Sequence, residues 1–240
     1  MRSTRHAKVV GKVFGTPLVV KGHTWLPYTE LGVWLILAWV AGKGRVDRSL
    51  GERLGVGALT AAVLLGSEWG HNLAHAAAAA WVGKPMDALK ITWGMPLVIY
   101  HNINDQTVTP RQHIARALGG PLFNASVLPL ALLLRWFSPP GSMTRDVANA
   151  AAGMNLFLCT ASLLPIPGID GGPILKWSLV ESGHSVDEAD EMVKKVDRAV
   201  GAGLGAAAGV AIKQRRKFLG VILGLLAVLA AAVGLGWIKE

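Results

Sequence analysis

Polar residues divide the chain into apolar runs of unequal length, and the run lengths predict its elements. Residues 26–41, 54–82, 114–137, 147–164 and 218–237 carry at most two charged side chains each. A helix needs roughly 20 apolar residues to cross a hydrocarbon core of about 30 Å. Each run therefore predicts a spanning helix, the short one at 26–41 having Trp25, Trp34 and Trp39 as interfacial anchors. The second run ends near Trp81 and Gly83, and Pro85 stops it. Residues 200–212 form a further Gly/Ala-rich run that is short for a span, and residues 175–198, charged and amphipathic, predict a pair of surface helices.

Two stretches do not read as helix. Residues 9–25 mix Val, Phe and Thr with Gly15, Pro17 and Gly22, which predicts a short strand or hairpin at the membrane surface. Residues 86–104 place Ile91, Trp93, Met95, Leu97 and Ile99 around Gly94 and Pro96, predicting two short extended pieces. Such an edge either packs on the protein's own surface or accepts an extended peptide. The pattern predicts an all-α polytopic membrane protein of five to six transmembrane helices with short β elements at the membrane surface, in one domain over residues 1–240 and with no internal repeat.

Composition agrees with that class. Hydrophobic residues make up 52% of the chain and charged ones 16%, and the mean hydropathy is +0.41, too apolar for an ordinary soluble domain. The formal charge of +9 raises nucleic acid as a partner. The basic residues, however, cluster between apolar runs, as in Lys43, Arg45, Arg48 and Arg53 or Lys213, Arg215, Arg216 and Lys217, where anionic lipid headgroups lie. The lipid bilayer is the expected partner, and no nucleic acid. Cys159, the single cysteine, reads as a small buried hydrophobe. Residues 9–20 are broken by Gly11, Lys12, Gly15 and Pro17, so the first span is expected to direct insertion without a cleaved leader.

The chemistry concentrates in Glu68-Trp69-Gly70-His71-Asn72-Leu73-Ala74-His75, inside the second apolar run. His71 and His75 lie one helical turn apart on one face, so both imidazoles reach one metal ion. Their spacing is that of the histidines in the zinc-protease motif H-E-x-x-H, but Asn72 stands where the motif carries its glutamate. Ionisable residues at bilayer depth cost about 2.5–3.5 kcal/mol each on the mildest scale. Glu68, His71 and His75 therefore need partners, either a metal or a neighbouring polar stripe.

A second informative stretch runs Pro165-Ile166-Pro167-Gly168-Ile169-Asp170-Gly171-Gly172-Pro173. Its prolines force extended chain and its glycines permit tight turns, presenting Asp170 at a break beside a membrane helix. That carboxylate is a ligand, an ion-pair partner or a cap on the helix beginning near Pro173. Catalytic zinc takes three protein ligands, two His and one carboxylate being a known set. His71, His75 and Asp170 would supply it for one ion, and the same donors accept iron or manganese.

The histidine pair, Gly120-Pro121-x-x-Asn124 and Pro165-x-Pro167-x-x-Asp170-Gly171-Gly172, in that order, resemble the site-2 proteases, the intramembrane zinc metalloproteases. The resemblance implies zinc on His71, His75 and Asp170, a transmembrane protein or peptide as substrate or client, and a third-helix asparagine, Asn124, that hydrogen-bonds substrate or transition state. It also implies an integral, multi-pass protein of a bacterial-type plasma membrane, with the histidine end of the second span facing the cytoplasm. The short basic loops lie on the other side and argue the reverse orientation.

Two positions depart from the family pattern: Asn72 replaces the catalytic glutamate, and Ser162 replaces the asparagine that opens the Pro-x-Pro element. An amide has no basic lone pair with which to take a proton from water. Glu68, one turn before His71, is the nearest carboxylate on that helix. It is read as an acceptor that orients His71, a fourth ligand, or a substitute base. Four functions follow: a hydrolytically impaired zinc-binding homologue; an active endopeptidase using Glu68 or a water chain; a non-catalytic pseudoprotease that binds a transmembrane helix; and, least favoured, a metal or solute transporter.

Overall fold

A computed structural model describes residues 7–235 except 44, 46 and 167. Pro167 of the predicted aspartate segment and Trp237 of the predicted last span lie outside the described residues. The elements are β1 (Lys8–Val13), β2 (Thr16–Val20), α1 (Tyr28–Lys43), α2 (Leu50–Trp81), β3 (Ala88–Thr92), β4 (Met95–Ile99), α3 (Pro110–Phe137), α4 (Met143–Ala161), α5 (Gly171–Glu181), α6 (Val186–Lys213) and α7 (Lys217–Gly234). They divide into two compact units, one holding the chain to Asn102 together with Leu118–Ala161, the other Ile103–Ala117 and the chain from Ser162.

In the first unit the strands form one sheet in the order β1-β2-β3-β4. The two hairpins are antiparallel, and β2 and β3 join them in parallel through Leu18↔Leu89, Val19↔Lys90 and Val20↔Ile91. Each hairpin closes on an aromatic-glycine turn with both residues at positive φ, Phe14 (48°) with Gly15 (76°) and Trp93 (57°) with Gly94 (87°). These are the angles of a two-residue type I′ turn. The turns open matching strands, Phe14-Gly15-Thr16-Pro17-Leu18-Val19-Val20 and Trp93-Gly94-Met95-Pro96-Leu97-Val98-Ile99. The chain thus contains a short internal repeat where none was expected; seven residues is too short a period to stand out against the apolar background.

The sheet packs on the C-terminal half of α2, where Ala76, Ala79, Met86 and Leu89 form a buried core with Leu18, Leu73 and Val98 against it. The 32 residues of α2 start at a capping box, in which Ser49 N donates to Glu52 Oε2 (2.8 Å) and Glu52 N to Ser49 Oγ (3.2 Å). Helix α1 lies close along it, for a methyl at Gly57 would sit 2.7 Å from the Ala38 nitrogen. The α1–α2 loop is tied to the start of α4 by Arg48, 2.6 Å from Asp146.

The second unit holds the α6–α7 hairpin, α5 and the first turns of α3. The His113 ring stacks on Trp177, 3.8 Å between centroids, and buried Lys176 donates to Asn104 Oδ1 (2.5 Å) and pairs with Asp190. The helix pair expected over 175–198 is present as α5 and the first half of α6, but the run at 200–212 is not a separate element: α6 continues unbroken from Val186 to Lys213. Among the described residues, three helices are long and apolar enough to cross a membrane, α2, α3 and α7, against the five to six read from sequence. With 16 residues, α1 is shorter than these.

Candidate metal centre

Helix α2 places His71 and His75 on its buried face, with Nε2 atoms 3.1 Å apart. The close approach of α3 frames the pair. A methyl at Gly119 would sit 2.9 Å from the His75 Cα, and one at Gly120 would collide with both Nε2 atoms. The missing side chain at Gly120 therefore leaves the space in front of the two nitrogens open. Helix α3 also carries Pro121 and Pro129 in its interior, and proline bends a helix by removing a backbone donor.

A directional chain of hydrogen bonds fixes His71. The Asn155 amide donates to Ser67 Oγ and to Ala151 O, both at 2.9 Å, so its Oδ1 faces Asn124 and accepts from Asn124 Nδ2 at 2.8 Å. Asn124 Oδ1 then faces His71 Nδ1 at 2.5 Å. An amide oxygen only accepts, so the proton sits on Nδ1 and Nε2 of His71 carries the lone pair. Asn124 and Asn155 are both fully buried. Asn124 is thus held at both ends of its amide by the chain's own side chains. At His75 the Gly120 N–H lies 3.3 Å from Nδ1.

Asn72 turns the other way. Its Nδ2 donates to Glu68 O (2.9 Å) and to Glu68 Oε1 (3.2 Å). Asn124 occupies His71 Nδ1 in the orienting role considered for Glu68, whose carboxylate instead meets the Asn72 amide. Asp170 belongs to the second unit. There it precedes α5 with helical angles (φ −58°, ψ −35°) and makes no side-chain cap bond to that helix, so the capping reading is corrected. The aspartate segment is closed by Gly171 N donating to Ser162 O at 2.7 Å. A methyl at Gly171 would strike the Leu163 and Leu164 carbonyls.

Sequence singles out neither Ser67 nor Asn155. The signal for Asn155 was present, since an asparagine in an apolar run needs a partner by the argument applied to Asn124.

The first unit is a helical bundle with a small sheet, built around a buried histidine pair whose Nε2 atoms lie 3.1 Å apart. No protein-family model matches the chain. A Methanocaldococcus jannaschii protein provisionally named a zinc metalloprotease is 33% identical over 94 residues, 38% of this chain and 48% of that one. The chain thus spans about half the length of the curated relative it matches. The solved site-2 protease of the same organism superposes with a TM-score of 0.55 at 13% identity, over 94% of this chain and 95% of that one. The chain is thus similar to a zinc metalloprotease in one segment and to a site-2 protease in fold.

Proposed function

We propose that the chain is a membrane-embedded, zinc-binding member of the site-2 protease family whose peptide hydrolysis is impaired at the proton-transfer step. His71, His75 and Asp170 hold one zinc ion in this reading. The observation that carries it is the histidine pair itself, with Nε2 atoms 3.1 Å apart, open space at Gly120 and the His71 tautomer fixed by Asn124. Metal-ligating histidines commonly show their second nitrogen hydrogen-bonded in this way. Zinc, when bound, supplies Lewis acidity to a carbonyl oxygen and to water. The chain's own residues then hold the ligands, exclude bulk water and leave the base position to an amide that cannot take the proton.

An extended segment of a transmembrane protein is the proposed client, laid along β4. That strand is an edge of the sheet, and its repeat equivalent β2 accepts a parallel strand through Leu18, Val19 and Val20, just past Pro17. In β4 the corresponding residues are Leu97, Val98 and Ile99, just past Pro96. We place α1 and α4 across the membrane as well, giving five spans of an integral plasma-membrane protein.

The test is cleavage of a model transmembrane substrate by purified protein of measured zinc content, comparing the native chain with Asn72→Glu and His71→Ala. Cleavage by Asn72→Glu alone, with zinc lost in His71→Ala, is the expected result. Cleavage by the native chain that His71→Ala abolishes would overturn the impairment and turn attention to Glu68.

A further inference from the structure

The two basic clusters of the sequence are used differently by the fold. In the first unit, Lys43, Arg45, Arg48 and Arg53 are taken up by the protein itself. Arg48 Nη2 donates to Asp146 Oδ2 (2.6 Å) and to Gly141 O (3.1 Å), and Arg45 reaches the same carboxylate at 3.6 Å. Arg53 packs on Gly42, where a methyl would strike it, and the Lys43 ammonium sits 3.7 Å from the centroid of the Trp39 ring. In the second unit, Lys213, Arg215, Arg216 and Lys217 are all exposed. Among the described residues, none of these four side chains has a hydrogen-bond or ion-pair partner. No Asp or Glu occurs from Arg198 to Leu235 to offset them.

The backbone of the α6–α7 turn carries a second observation. Arg216 N donates to Ala211 O and Arg215 N to Ile212 O, both at 2.9 Å, and Arg215 has φ 61°. These are the two bonds of a Schellman motif with Arg215 at its left-handed position, which glycine usually fills because a Cβ is strained there. An arginine thus stands where glycine would close the turn with less strain. Helix α7, which follows, has no acid in its first turn and no side-chain cap, so the positive end of its dipole adds to the field of the four cations. It is also long and apolar enough to cross a membrane. With α7 across the bilayer, Lys217 at its first turn stands where the hydrocarbon ends and the headgroups begin. We infer that the α6–α7 turn is a binding surface for the headgroups of anionic phospholipids, with the Arg215 guanidinium among its phosphate donors. The inference rests on the membrane placement of the reading above, but not on its metal or its peptide.

The full chain in lipid nanodiscs tests it. In a Cys159→Ser background, Gln214→Cys carries a fluorophore, and quenching by chain-spin-labelled phosphatidylglycerol or phosphatidylcholine gives the relative association of the two lipids. Phosphatidylglycerol is expected to associate at least about fivefold more strongly, the attraction of one basic residue near a charged surface. Lys213→Gln, Arg215→Gly, Arg216→Gln and Lys217→Gln together are expected to abolish that preference. Arg215→Gly alone is expected to lower it while the thermal unfolding midpoint in phosphatidylcholine stays or rises, which separates a lipid contact from a structural role. A probe at Pro140→Cys, next to the Gly141 carbonyl that Arg48 binds, is expected to show a smaller preference. Equal association of the two lipids at Gln214→Cys, a preference undiminished in Arg215→Gly or surviving the fourfold variant, or one equally strong at Pro140→Cys overturns the inference. So does displacement by inorganic phosphate at constant ionic strength, which would make a free anion the occupant. Quenching of a probe at Leu225→Cys, an exposed position of α7, checks the membrane placement separately. Without it the placement fails and the headgroup surface with it; with it, equal association at the turn removes the headgroup surface alone.

Discussion

Two polar systems meet at neighbouring residues of α2 and differ in reach. From His71 a hydrogen-bond chain crosses to Asn124 on α3, to Asn155 on α4 and back to Ser67 on α2. From Asn72 the bonds go back one turn of the same helix, to Glu68. The first system exists only when three helices pack in one register, and each of its members has its donor and acceptor roles fixed by the next. The second needs nothing but the helix. In the proposed reading, the orientation of His71 depends on the whole fold, while Asn72, at the position proposed to lack its base, is satisfied by its own turn. The two systems are therefore separable, and substitutions can address them one at a time.

The largest effect is expected at the local system. A positioned general base contributes typically 10²- to 10⁴-fold to a hydrolytic rate, so Asn72→Glu should raise cleavage of a transmembrane substrate by about that factor. The substitution also sets two carboxylates one turn apart, and like charges there oppose each other. Asn72→Glu combined with Glu68→Gln exchanges amide and carboxylate and restores the bond across the turn. The double variant is expected to cleave at least as fast as the single one, in a rate assay at matched zinc content. No gain in either variant would mean that more than the base is missing.

At the long-range system the effect should fall on metal affinity. Asn124→Ala removes the acceptor at His71 Nδ1, and losing such an orienting partner typically costs 10- to 100-fold in affinity. Competition with a chelator of known zinc affinity measures it. Asn155→Ala lies one step further out and should weaken zinc less, by under about tenfold. It should show instead as lost stability, since Asn124 Nδ2 is left without an acceptor and an unsatisfied buried group costs about 1–3 kcal/mol. A larger zinc defect in Asn155→Ala than in Asn124→Ala would break the proposed order of the chain.

How far these systems were legible in the sequence follows from the same difference in reach. His71 and His75 four apart, and Glu68 four before Asn72, are spacings along one helix, and helical period alone brings each pair together. The apolar runs likewise located α2, α3, α4 and α7. The route from Asn124 through Asn155 to Ser67 spans 88 residues between its ends on α2 and α4, and nothing in a local pattern pairs residues at that distance. The continuity of α6 was hidden for another reason: its polar first half and Gly/Ala-rich second half look like two elements, although no residue between them breaks a helix. The matching hairpins were hidden by their context, since Val, Leu, Ile and Pro recur throughout the chain.

The smallest effect separates the two systems most cleanly. Glu68→Gln keeps the size of the side chain and an oxygen able to accept from the Asn72 amide, while removing the charge. Because His71 Nδ1 is held by Asn124 and not by Glu68, zinc affinity should change by less than about threefold, well below the 10-fold floor expected of an orienting partner. Zinc competition on Glu68→Gln, Asn124→Ala and the pair together checks this. If the carboxylate is independent of the His71 chain, the double variant should lose no more than Asn124→Ala alone, the additivity expected of sites that share no partner. A loss of tenfold or more in Glu68→Gln would show that the two systems are one, with the charge on Glu68 felt at the metal through Asn72.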